Sequence, residues 1–177
     1  MESWGAALYG DPCRVCGFDW SVTPQQALSW VSGWNQHLAA ASAGADGTER
    51  RLGGGWSVTE YVCHVGDNLR QWSERLQAAL LSQQNEVVGY DPDALAVARG
   101  YAALPFSVAA WSSALAAAVW VEVVGQALSD KVALQHATRG RQTAEDVARN
   151  NCHDAYHHLW DIEQILAQTN SQASRVY

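Results

Sequence analysis

The stretch Asn150-Asn-Cys-His-Asp-Ala-Tyr-His-His-Leu-Trp-Asp-Ile162 gathers half of the chain's six histidines together with two aspartates. It lies in a segment that opens on Thr143 followed three residues later by Asp146, an arrangement that resembles a capping box. No Gly or Pro interrupts the segment before Ser171, and a helix over about 144–167 is predicted. Within it Ala148, Cys152, Ala155, Leu159, Ile162 and Leu166 recur at alternating intervals of four and three. At about 100° per residue they make one apolar seam for a core contact. Asn151, Asp154, His158 and Asp161 run along one flank of that seam, where a side chain can still turn into a bundle interior. His153 and His157 project nearly opposite. Two histidine registers therefore compete, Asp154 with His158 and His153 with His157, each pair stacked on one helical face by its spacing of four.

A chain of 177 residues, 48% apolar and rich in Ala, is expected to form one helical domain with a sizeable core. The longest apolar run, around 114–124, is broken by Glu122, and the first residues lack a basic region followed by an apolar one. The expectation is a soluble, cytoplasmic protein with no membrane partner. With a net charge of −7, a single Lys and scattered Arg, no phosphate-tracking surface is expected, and nucleic acid is excluded as a partner. Four cysteines in such a chain read as thiols or metal ligands rather than disulfides. The nine Trp residues read chiefly as core filler, with an aromatic-walled pocket as the alternative.

Outward from the histidine stretch, the chain divides into an irregular N-terminal arm over 1–22, a bundle over 23–170 and a tail over 171–177. The arm carries Cys13-Arg-Val-Cys16-Gly17, half of a zinc knuckle, because the tight turn lets two thiolates converge on one ion. Thr23 before Pro24 starts a first helix to about residue 42, and a Gly-rich link over 44–55 carries Arg50 and Arg51. Ser57-Val-Thr-Glu60 is a capping box opening a second helix to about residue 82, with the seam Val58, Val62, Val65, Leu69, Trp72, Leu76 and Leu80. His64 flanks this seam. Cys63 and Asp67 point away from it, so something must cover Cys63, and the arm is the expected cover. A mixed stretch over 83–104 crosses a bundle end and holds a short helix over about 93–101. A third helix follows Pro105 and is expected to bury Val108, Trp111, Leu115, Val119, Val123 and Leu128. A loop over 129–142 leads back to the histidine helix, and no strand is expected. The fold class is all-α: a four-helix bundle with an irregular Cys-containing arm.

The segment Trp56-Ser-Val-Thr-Glu-Tyr-Val-Cys-His64-Val-Gly-Asp67, taken with His157-His158-Leu-Trp-Asp161-Ile162, resembles the DinB-like superfamily of metal-dependent four-helix bundles, the DinB/YfiT type. That superfamily includes proteins like the mycothiol-dependent maleylpyruvate isomerases. The resemblance implies a divalent metal, zinc or nickel, held by His64, Asp154 and His158. Asp154 stands where most members carry His. The same resemblance implies a thiol S-transferase using mycothiol or a similar low-molecular-weight thiol cosubstrate, or a thiol-dependent isomerase, acting on a small-molecule substrate. Two imidazoles and one carboxylate suit zinc and leave coordination positions for water or substrate.

Asp161 reads either as an outer partner that orients a ligand imidazole or as a solvated carboxylate. His153 and His157 form the second, less favoured metal register. Cys13, Cys16, Cys63 and Asp67 are candidates for a separate structural zinc fastening the arm over the second helix. Against the enzyme stand a metal-dependent hydrolase and a non-catalytic, metal-stabilised binding or stress-response bundle. Homodimerisation is an expectation for bundles of this kind, without a segment that identifies the interface.

Overall fold

The structure, a computed structural model, describes residues 2–173. A short helix α1 (Ala6–Tyr9) lies in the arm, followed by α2 (Pro24–Ser32), α3 (Trp34–Ala41), α4 (Val58–Ser82), α5 (Pro92–Arg99), α6 (Phe106–Ser129) and α7 (Ala144–Ala173). The α2–α3 pair, α4, α6 and α7 form the four-helix bundle. The expected first helix is broken at Gly33, where His37 folds back to stack on Trp30 with ring centroids 4.8 Å apart. A Cβ on Gly33 would sit 2.8 Å from the His37 ring nitrogen, so only glycine admits this stack. Both ends of the site are set by capping: Ser57 and Glu60 close a reciprocal box at the start of α4, and Thr143 and Asp146 exchange the same bonds before α7. Helix α7 runs past its expected end into the segment read as a tail, of which 174–177 lie outside the described residues.

The buried face of α6 is not the one expected. Ala109, Ser113, Ala116, Ala117, Trp120, Val123, Val124 and Ala127 face inward, while Val108, Trp111, Leu115 and Val119 are exposed. The cause is the close approach of α4 and α6: a Cβ on Gly66 would lie 3.1 Å from the Ser113 Cα. Only small side chains fit that contact, so the bulky ones are turned outward. By length and composition α6 is apolar enough to cross a membrane, and its small-residue face packs on α4. Trp34 and Trp120 are core residues, fully buried, and each satisfies its indole N–H: Trp34 donates to Ser113 Oγ at 3.0 Å and Trp120 to Asn151 Oδ1 at 2.9 Å.

The connections do more than cross the bundle end. Strand β1 (Glu86–Val87) pairs parallel with β2 (Ala133–His136), which pairs antiparallel with β3 (Gly140–Thr143). The inward positions of this small sheet include His136, Gly140 and Gln142, so no apolar alternation betrays it in the sequence. Asp67, buried, accepts hydrogen bonds from Arg70, from Arg99 at 2.7 Å and from the Tyr101 hydroxyl. This fastens the 83–104 connection onto α4, where Tyr101 and Leu104 line a pocket together with Cys63. The arm, expected there, lies instead over α7: Arg149 donates to Val22 O, and Phe18 and Trp20 pack on His153.

Candidate metal centre

The α4 helix delivers His64 and α7 delivers Asp154 and His158 to one point, with one donor atom from each lying within 4.8 Å of the others. His64 Nε2 is 3.6 Å from Asp154 Oδ2, and His158 Nε2 is 3.7 Å from Asp154 Oδ1. These separations exceed a hydrogen bond. They suit the edges of a coordination polyhedron, since ligand distances of about 2.0–2.2 Å put neighbouring tetrahedral donors about 3.3–3.6 Å apart. Two neutral imidazoles and a carboxylate are a donor set for a borderline divalent ion, and the ring of His64 carries a buried nitrogen, Nδ1, with no partner.

The surrounding groups hold the donors in place. Asn68, one turn after His64, donates to Asp154 Oδ2 at 2.8 Å. Asp161 Oδ2 lies 3.0 Å from His158 Nδ1, which leaves Nε2 for the centre, and Arg51 from the Gly-rich link caps the other oxygen of Asp161. Burial disfavours charge on Asp154, but the neighbouring His64 and His158 outweigh it and hold the carboxyl well below its ordinary range. His64 moves the opposite way: burial lowers it, and the Asp154 charge raises it further than that.

The three donors open into a cavity of about 320 Å³ whose wall includes Trp72, Arg75, Tyr90, His136 and Arg139. Arg75 lies over the Trp72 ring and donates to Val88 O, and the Nε of Arg139 is buried without a partner. Two guanidinium groups on its wall bring positive charge to this cavity in a chain whose net charge is −7. Burial, with the charge on Asp154 adding to it, pushes the Tyr90 phenol above its ordinary range, so it stands as a neutral hydroxyl.

The second histidine register faces the other way. Cys13, Cys16, His153 and His157 converge with donor atoms within 4.8 Å of one another. Cys63 and Asp67 are not brought to Cys13 and Cys16. They belong to the α4 face under the 83–104 connection, where burial, followed by the Asp67 charge, pushes the Cys63 thiol up to about 11. The grouping of four read from the sequence is therefore corrected: the partners of the CxxC are on α7.

Sequence reasoning missed Asn68, Arg51, Arg75, Arg139 and His136 as parts of the site. Asn68 had a signal, its spacing of four from His64 on one helical face. Arg75 had one as well, lying on the same helix eleven residues, about three turns, from His64; Arg51, Arg139 and His136 come from connections whose placement only the fold sets.

This four-helix bundle with a long crossing connection is a fold already seen among solved structures. Among solved structures it matches YfiT from Bacillus subtilis, described as a probable metal-dependent hydrolase with an unusual four-helix bundle topology. The TM-score is 0.73 over 83% of this chain and 87% of that one, at 16% identity. No family model matches the sequence. No curated protein matches it either.

Proposed function

We propose that this chain is a divalent-metal-dependent enzyme that transfers a low-molecular-weight thiol to, or through it isomerises, a small anionic electrophile. The observation that supports it is the opening of a three-donor cluster, His64, Asp154 and His158, into a cavity with Arg75 and Arg139 on its wall. A bound ion would supply Lewis acidity and lower the pKa of the nucleophile it holds. The chain's own residues do the rest. Asn68 and Asp161 fix the donor orientations, and the two arginines draw a carboxylate into the cavity and set its direction. Trp72 and Tyr90 wall the chamber and exclude water. Zinc is the metal this donor set suits best.

A metal-dependent hydrolase is the second reading, favoured by the likeness of fold to YfiT. The two separate in one experiment. Full-length protein, stripped by chelation and reloaded with zinc, is incubated with carboxylate-bearing electrophiles and esters, with and without mycothiol or glutathione. The expected result is turnover that needs both metal and thiol and falls about 100-fold or more in His64→Ala. Turnover that needs metal but no thiol establishes the hydrolase. Retention of activity in His64→Ala overturns both.

A further inference from the structure

We infer that Cys13, Cys16, His153 and His157 bind a structural zinc ion, separate from the open centre, that clamps the N-terminal arm to the back of α7. The spacing is that of a two-Cys, two-His ligand set: Cys-x2-Cys on a turn and His-x3-His on a helix. The turn is closed by Cys13 N donating to Phe18 O and Gly17 N to Cys13 O, with Gly17 in the left-handed region at φ 76°. That geometry points both thiols the same way. On the helix, a spacing of four stacks the two imidazoles on the face turned from the seam.

The donor distances fit. Cys13 Sγ is 4.0 Å from His157 Nδ1, and all four donor atoms fall within 4.8 Å. A tetrahedral zinc with Zn–S of about 2.3 Å and Zn–N of about 2.0 Å needs donors about 3.3–3.8 Å apart, up to about 1 Å closer than they stand here. A ligand is also called for by what the site lacks. His153 is 4% exposed, packs against the rings of Tyr9 and Trp20, and has a buried Nε2 with no hydrogen-bond partner. Cys13 is 2% and Cys16 8% exposed, and neither is in a disulfide. Zinc displaces the two thiol protons, and the two thiolates balance its charge, so the cluster can be buried without a further counter-ion.

Four protein donors saturate a tetrahedron, which makes this a closed, stabilising site, in contrast to the three-donor centre on the neighbouring face. Its effect reaches the cavity, because the clamped arm supplies Trp4, Gly5, Leu8 and Tyr9 to the cavity wall. Asp161 stands between the two sites, with its Oδ2 3.0 Å from His158 Nδ1 and 3.8 Å from His157 Nε2.

Cobalt(II) tests this directly, because thiolate-to-cobalt charge-transfer absorption and strong tetrahedral ligand-field bands report sulfur ligation that the His64 centre cannot give. Full-length protein, reduced and loaded with cobalt, is expected to show the thiolate absorption. His64→Ala is expected to keep it, and Cys13→Ser/Cys16→Ser to lose it together with one equivalent of metal. Absence of the absorption from the reduced wild-type chain overturns the inference without reference to any variant, as does its persistence in the double serine variant. Loss of the absorption in His64→Ala, with that variant folded by circular dichroism, overturns the separateness of the two sites. Loss of metal from His64→Ala alone, with the thiolate absorption intact, leaves this inference standing and bears only on the open centre.

Discussion

Replacing Asp161 by Ala removes the group that fixes the tautomer and tilt of His158. Asp161 is 6% exposed, accepts from His158 Nδ1 at 3.0 Å and is capped by Arg51. Loss of such an outer carboxylate weakens metal binding by about 10–100-fold, or about 1.4–2.7 kcal/mol. The cost to the fold is smaller. The Arg51 side chain is 38% exposed and turns into solvent when its partner goes, which limits the loss to about 1 kcal/mol or less. The measurement is a zinc competition titration against a chromophoric chelator in the Cys13→Ser/Cys16→Ser background, so that only the open centre is read. A thermal melt of the same sample checks the fold. Asp161→Asn is expected to fall between wild type and Asp161→Ala, since its amide oxygen still accepts from Nδ1 but carries no charge. An unchanged zinc affinity in Asp161→Ala would show that His158 is not held through Nδ1, and with that the assignment of Nε2 to the centre fails.

Asp67→Ala orphans the buried Tyr101 hydroxyl and frees two half-exposed arginines, a loss of about 3 kcal/mol or roughly 6–12 °C in Tm. An unchanged melt would mean that the 83–104 connection is held to α4 by other contacts. Arg139→Gln is expected to raise KM for a carboxylate-bearing substrate about tenfold or more and to leave a neutral one unaffected; equal changes for both would remove the anion from the assignment. The metal-free protein is expected to lose stability in acid. Burial, and then the nearby His157, push His153 down from 6.5 to about 4, and burial also lowers His136 and His157. A folded-state pKa below the unfolded one gives stability that is present above 6.5 and is lost as pH falls toward 4, while the opposite shift of His64 works against it. Melts of the chelated protein at steps from pH 7.5 to 4.5 check this, and a flat Tm across that window refutes it.

What was legible in the sequence was whatever depends on one helix at a time. The capping residues placed the starts of α4 and α7, and the wheel put His64, Asp154 and His158 on the flanks of facing seams. The α6 face was misread because bulk hydrophobicity was taken for burial. The close contact at Gly66 and Ser113 reverses that rule, admitting alanine and expelling Trp111 and Leu115, and nothing within α6 alone reveals it. The cover of Cys63 was misread for a related reason. Cys63 on α4 and the His153–His157 face of α7 are both turned from a seam and both need covering. One helix cannot say which of two available segments, the arm or the 83–104 connection, reaches it. The residue types did hold a discriminating signal, since Cys-x2-Cys finds its complement in His-x3-His and finds none in a lone Cys63 with Asp67.

The pattern His153-Asp154-x-x-His157-His158 would let one turn of helix serve both proposed centres. Neighbouring positions differ by about 100° and positions four apart nearly coincide, so two adjacent residues repeated after four present two donor pairs on two faces. The face toward α4 meets a single further donor, His64, and stays open to the cavity. The face toward the arm meets two thiols and is closed. Which face is open is thus set by the number of donors each neighbour brings, and α4, whose other polar group at this level, Asn68, is spent on Asp154, has no fourth to give. The same turn then ties substrate access to the arm. The arm's residues stand on the cavity wall while its Cys13 meets His157 on the back of the helix that carries Asp154 and His158.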